Sequence, residues 1–129
     1  MKGEVIQEVE SGEGLLIEIA YIAHQPITAP IFGVTITRPD GLICWESSTQ
    51  SDYLPVSRLH GRGKVTLHLD RLDLIEGQYF VDAGIYQHEW EYAYDYHWHV
   101  YPLSIHSDQG QKGILSPPHH WEFKVADNP

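Results

Sequence analysis

Apolar and polar residues alternate at period two in one short stretch after another, with turn residues between the stretches. Leu15, Ile17, Ile19 and Tyr21 share one face, with Glu18 opposite. Phe32, Val34 and Ile36 alternate with Gly33, Thr35 and Thr37. Val65, Leu67 and Leu69 follow the same rule, as do Tyr79, Val81, Ala83 and Ile85 against Asp82, Gly84, Tyr86 and His88. Successive side chains of a strand point to opposite faces, so each stretch reads as a strand with one face buried. No stretch has the 3.6-residue period of an amphipathic helix, and only Asp70 to Glu76 is expected to form one helical turn. Many short strands with turns between them predict an all-β fold, an immunoglobulin-like β-sandwich of two antiparallel sheets.

The punctuation supports the same order. Val5 to Val9 alternates weakly and suits a first or edge strand, and Ser11 to Gly14 is a turn. Gln25-Pro26 and Ala29-Pro30 bracket a loop, since proline cannot donate to a ladder. Pro39-Asp40-Gly41 turns the strand at 31–38 back into Leu42 to Trp45, because proline presets φ and glycine accepts a positive one. Glu46 to Arg58 is polar and irregular, with Trp45, Tyr53 and Leu54 as candidate anchors. Leu74-Ile75-Glu76-Gly77-Gln78-Tyr79 resembles the corner in which a tyrosine hydroxyl bonds back to nearby backbone in such sandwiches. Trp121 to Val125 alternates and is expected to form a last strand. The strands at 79–88 and 94–101, joined by a hairpin, should be neighbours, with 31–38 beside them.

At 129 residues with 42% hydrophobic residues, the chain has enough apolar material for one packed core. One domain is expected, its core spanning about residues 14–125. The formal charge of −10 repels phosphate backbones, so nucleic acid is a poor partner. Cys44 has no partner for an internal disulfide, which suits a reducing compartment. Met1-Lys2-Gly3-Glu4 lacks the apolar run of a signal peptide. Gly61-Arg62-Gly63-Lys64 is not a phosphate loop, because Val65 follows the lysine and the sequence runs on as a strand.

Tyr86 to Tyr101 is the densest aromatic and imidazole stretch. Taken as a strand over its latter part, it places Tyr94, Tyr96, Trp98 and Val100 in the core. Asp95, His97, His99 and Tyr101 then face outward, beside Thr35, Thr37, Asp82, Tyr86 and His88. Such a surface suits a sugar: flat rings stack on its C–H face, while carboxylates and imidazoles pair with its hydroxyls. The expected carbohydrate-binding residues are Asp82, Tyr86, His88, Trp90, Asp95, His97, His99 and Tyr101. Tyr86, Tyr101 and Trp90 would stack, and the others would hydrogen-bond. His97 and His99, two apart on one strand, could instead share a cation, with His119 and His120 adding ligands. No cupin spacing follows them, and neither a metal nor another cofactor is assigned. No nucleophile elbow or marked acid pair is present, so no catalytic residue is assigned. The same aromatic face would also suit a protein interface.

Several segments in order carry a resemblance. They are Ala29-Pro30-Ile31-Phe32-Gly33-Val34-Thr35-Ile36, Arg38-Pro39-Asp40-Gly41, and Gly61-x-Gly63 leading into Val65-x-Leu67. Further on come Leu72-x-Leu74-x-x-Gly77-x-Tyr79, Tyr94-Asp95-Tyr96-His97 and Gly113-x-Leu115-x-Pro117-Pro118-His119-His120-Trp121. Over roughly residues 14 to 122 the chain resembles the C-terminal carbohydrate-binding domain of ATPase subunits in O-antigen polysaccharide ABC exporters, the Wzt type. The resemblance implies an immunoglobulin-like sandwich that binds the terminus of a lipid-linked polysaccharide at the cytoplasmic face of the inner membrane. It implies partnership with the nucleotide-binding and transmembrane parts of the exporter. It also implies a homodimer, with exchange of the C-terminal strand making 119–125 an interface. The 129 residues contain no Walker sequences, so ATP hydrolysis is not expected of them.

Overall fold

The computed structural model describes residues 2–4, 8–107 and 113–124. These form eight strands and no helix: β1 (Lys2–Glu4), β2 (Glu8–Glu10), β3 (Leu15–Thr28), β4 (Ile31–Thr37), β5 (Ile43–Ser48), β6 (Arg58–Leu69), β7 (Gly77–Tyr86) and β8 (Ala93–His106). One sheet has the order β1-β3-β6 and the other β2-β8-β7-β4-β5. All pairs are antiparallel except the short parallel pair of β2 with β8. The chain is an all-β, immunoglobulin-like sandwich, as the alternation predicts.

The alternating positions meet between the sheets. Leu15, Ile17 and Ile19 of β3 pack with Phe32, Val34 and Ile36 of β4 and with Tyr79, Val81, Ala83 and Ile85 of β7. Val65, Leu67 and Leu69 close the core from β6. Burying one such side chain stabilises the fold by roughly 1.5–3 kcal/mol, which is why the period-two pattern dictates the layering. The β4–β5 turn forms as expected, with Gly41 at φ +90° and the Arg38 amide donating to the Leu42 carbonyl at 2.9 Å. The tyrosine corner is also present: the Tyr79 hydroxyl donates to the Ile75 carbonyl at 2.8 Å.

Several expectations are corrected. Residues 70–76 form no helical turn but an irregular crossing, held by the bridge between Leu74 and Leu115. Gln25-Pro26 opens no loop; β3 runs on to Thr28 through an irregularity between Ala23 and Ile27 that accommodates Pro26. Gly61-Arg62-Gly63-Lys64 lies inside β6, where Gly63 gives room to the Tyr21 ring. Trp45 packs against the core, but Tyr53 and Leu54 are exposed and anchor nothing. Residues 121–124 are not a strand, and Trp121 and Phe123 stand 94% and 87% exposed. Of the expected first strand, residues 5–7 lie outside the described residues, as does Val125 of the last.

The largest correction concerns β8. Tyr94, Tyr96, Trp98 and Val100 are on the exposed side, Tyr96 at 48% and Trp98 at 54%. The phase is set instead by Leu103 and Ile105, which are fully buried and lie further along the same strand. Counting back from them turns Tyr101, His97 and Asp95 toward the core side, opposite Val81, Ala83 and Ile85.

Candidate functional site

The outer face of the five-stranded sheet, away from β3 and β6, holds a cavity of about 330 Å³. Its floor is bare because glycine occupies facing positions on adjacent strands, Gly33 on β4 and Gly84 on β7. Tyr86 lies across that floor. A Cβ added at Gly84 would fall 2.6 Å from the Tyr86 hydroxyl, and one added at Gly33 would fall 3.1 Å from its ring. The two glycines are therefore what lets the ring lie flat on the sheet.

Two further rings complete an aromatic wall. Trp90 is centred 5.0 Å from Tyr86 and Tyr96 is centred 6.2 Å from it, both tilted. Trp90 sits at φ +63° in the turn between β7 and β8. Gln87 builds that turn: its side-chain oxygen accepts from the Glu89 amide at 2.7 Å and from the Glu91 amide at 3.3 Å. The Trp90 indole N–H donates to Gln50 Oε1 at 2.7 Å, tying the turn to the loop that follows β5. The polar rim comes from Gln50 and Ser51 of that loop, from Glu46, Ser47 and Ser48 of β5, and from Thr35.

Beneath the cavity sits Asp82, 1% exposed. One carboxylate oxygen accepts from the Thr37 hydroxyl at 2.7 Å and the Thr35 hydroxyl at 3.2 Å. The other accepts from the His99 amide at 2.7 Å. That last bond pins an irregularity in which residues 98–100 stand opposite Asp82 alone, with His99 at φ +56°. Histidine is among the residues that enter this region more readily. The His99 ring consequently turns outward, stacked between Phe80 at 4.3 Å and Trp98 at 3.6 Å.

Burial pushes the Tyr86 phenol up to about 12, with the Tyr96 phenol and the Asp82 carboxylate adding to the shift. Burial, then Asp82, also raises Tyr96. Tyr86 thus remains a hydroxyl, able both to donate and to accept, throughout the neutral range. The linkage has a definite sign. An unfolded tyrosine loses its proton near 10 while folded Tyr86 holds it to about 12, so the native state binds more protons in that window. Stability from this group is intact below pH 10 and falls as pH rises from 10 toward 12. Tyrosinate absorbance, with a Tyr86→Phe chain subtracted, should show a late-titrating phenol near 12; a midpoint near 10 would deny the burial.

The eight expected site residues therefore separate. Tyr86, Trp90 and Asp82 meet at the cavity, although Asp82 is consumed by internal hydrogen bonds and offers none to a ligand. His99 shares the outer face but is sandwiched between rings. His97 and Tyr101 lie on the core side, His97 Nδ1 and the Tyr101 hydroxyl 2.5 Å apart. His97 and His99 therefore do not project to one side, which removes the shared-cation geometry expected of that pair. Asp95, near His97 Nε2 at 3.5 Å, and His88 line a separate cleft of about 650 Å³ between β3 and β8, with Tyr92 and Tyr94. The cavity is also lined by Tyr96, Gln50, Glu46 and the serines, which the sequence reading does not include. The phase of Leu103 and Ile105 would have exposed Tyr96; nothing local marks Gln50.

The profile of the Wzt C-terminal domain family matches residues 1–117. The chain is similar to the O-antigen export system ATP-binding protein RfbB of Myxococcus xanthus, with 24% identity over 127 residues. That match covers 98% of this chain and 28% of the relative, so the chain spans little more than a quarter of that protein's length. Among solved structures, the crystal structure of the C-terminal domain of Wzt superposes with a TM-score of 0.76 at 14% identity. The match covers 91% of this chain and 74% of that one, a likeness of fold.

Proposed function

Because the chain belongs to the Wzt C-terminal domain family, we propose that it is a non-catalytic module that binds the terminal part of a lipid-linked, O-antigen-type polysaccharide and couples it to an ABC exporter. Its partners are then the nucleotide-binding and transmembrane parts of that exporter, at the cytoplasmic face of the inner membrane. The observation that carries the reading is the Tyr86–Trp90–Tyr96 wall over a glycine floor, rimmed by hydroxyl and amide groups. Concave sites that combine apolar rings with a few fixed polar groups suit ligands having both kinds of surface. A pyranose has an apolar C–H face and an edge of hydroxyls. Tyr86, Trp90 and Tyr96 stack; Gln50, Thr35, Ser48 and Glu46 meet hydroxyls.

The test is a glycan array followed by titration of hits through tryptophan fluorescence. Tyr86→Ala should weaken a hit by about thirtyfold, as for a buried aromatic anchor contributing ~2 kcal/mol. His97→Ala, on the core side, should leave affinity within a few-fold. A hit that survives Tyr86→Ala and is lost in His97→Ala would move the site to the cleft between β3 and β8.

The same reading includes a homodimer through the C-terminal segment. Among the described residues, β8 gives one edge to β7, while its other edge meets only β2, over Ser104–His106. An open edge invites a further strand. Residues 121–124 carry alternating, exposed Trp121 and Phe123 and pair with no described strand. Replacing both by serine should convert a dimer to a monomer in sedimentation velocity while retaining sugar binding; a wild-type chain sedimenting as a monomer would refute this part.

A further inference from the structure

The charge around the cavity narrows the ligand class, an inference that rests on the glycan-binding reading and adds selectivity to it. The charged side chains lining the cavity are Glu46 and Asp82. Glu46 stands opposite Thr35 at the rim, and Asp82 is buried beneath it. The turn that carries Trp90 adds Glu89 and Glu91.

No lysine or arginine among the described residues lines this cavity. The described arginine and lysine side chains lie elsewhere and several are already paired. Arg38 pairs with Asp40 at the β4–β5 turn, Arg71 with Asp73, Lys64 with Glu18 on the opposite sheet, and Lys124 with Glu122. Arg58 and Arg62 belong to β6, also in the opposite sheet. The hydroxyls of Thr35 and Thr37 already donate to Asp82, so they do not answer an incoming anion. Burial raises the Tyr86 and Tyr96 phenols most, and the Asp82 carboxylate adds to both shifts.

Recognition of phosphate or carboxylate normally enlists arginine forks, lysine or clustered backbone amides. Here an anionic substituent would meet carboxylates within a few ångströms. We infer that the Tyr86–Trp90–Tyr96 cavity selects uncharged or amine-bearing sugar residues and excludes residues carrying phosphate or carboxylate. A like charge about 5 Å from Glu46, partly shielded by solvent, lowers affinity by about tenfold or more.

Two measurements on the full chain decide it. The first is a glycan array holding neutral, amine-bearing, carboxylate-bearing and phosphate-bearing glycans, probed with the chain and with Tyr86→Ala. Every binder lost in Tyr86→Ala should be neutral or amine-bearing. A Tyr86-dependent binder whose bound residue is anionic overturns the inference and leaves the glycan reading standing. An array with no Tyr86-dependent binder counts against the glycan reading itself.

The second needs no sugar. Quenching of Trp90, taken as the difference between the chain and Trp90→Phe, is measured with caesium and with iodide. Each is normalised to free N-acetyltryptophanamide, at about 0.15 M ionic strength, where charges beyond ~8 Å are screened. Caesium should quench at least twice as effectively as iodide, and Glu46→Gln should narrow the ratio. Equal quenching would show that no local negative field exists, and a ratio unmoved by Glu46→Gln would show that the field at Trp90 does not come from the cavity rim; either result overturns the inference.

Discussion

Replacing Asp82 by alanine should destabilise the domain by about 3–5 kcal/mol, the largest single-residue effect expected outside the apolar core. The carboxylate is 1% exposed and accepts three hydrogen bonds, from Thr35, Thr37 and the His99 amide. Removing it leaves the buried Thr37 hydroxyl and a backbone N–H without acceptors. Each such orphan costs about 1–3 kcal/mol. The geometry that holds residues 98–100 as a bulge would be lost as well, releasing Trp98 and His99 from their stack.

Asp82→Asn separates these terms. It keeps acceptor oxygen at the site, so its cost should be well below that of alanine. Adding Thr35→Val and Thr37→Val to Asp82→Ala should recover part of the loss, because matched apolar groups leave no orphaned hydroxyls. Urea denaturation of the four chains measures the differences. Asp82→Ala unfolding within about 1 kcal/mol of the parent would show that the carboxylate is not the keystone of this face.

Gly84→Val should dismantle the proposed glycan-binding surface while leaving the sandwich intact. A Cβ at residue 84 would lie 2.6 Å from the Tyr86 hydroxyl and 2.9 Å from its ring edge, closer than real contacts allow. The obstacle is a side chain, not backbone, so Tyr86 swings away and the sheet stays. Valine also suits a strand better than glycine, which offsets part of the cost of moving the ring. Affinity for any Tyr86-dependent glycan should fall by about thirtyfold, matching Tyr86→Ala. The displaced phenol should also titrate nearer the ordinary tyrosine value than about 12, a readout independent of sugar. A variant with unchanged affinity and a phenol still near 12 would show that the ring never needed the glycine bed.

Much of the architecture is legible in the sequence. β4, β7 and the first half of β3 alternate cleanly because each has one face in the core and one outside it. The tyrosine corner and the Asp40-Gly41 turn are local, since their partners lie within a few residues. Residues 121–124 alternate just as cleanly yet form no strand, because alternation states that a segment can pair and does not supply the partner. The site was less legible. The placement of Tyr86 on the outer face is legible from the phase of β7, which Tyr79, Val81, Ala83 and Ile85 fix, whereas Trp90 reaches the same cavity from a turn that carries no phase. His97 and Tyr101 were misplaced because aromatic rings suit either side of a strand, so β8 carries no phase of its own before Leu103.

The sequence by itself determined the fold class, the layering of β3, β4 and β7, and the presence of an aromatic segment suited to binding. Those follow from periodicity and turn chemistry, which act over a few residues. Tertiary structure alone decided which aromatics face outward, because Leu103 and Ile105 had to be buried and Asp82 had to claim the His99 amide. It alone brought Gln50 to Trp90, forty positions apart, and set Gly33 opposite Gly84 to make a floor. Contacts of that separation depend on strand pairing, and pairing is settled by the whole core rather than by any stretch of residues.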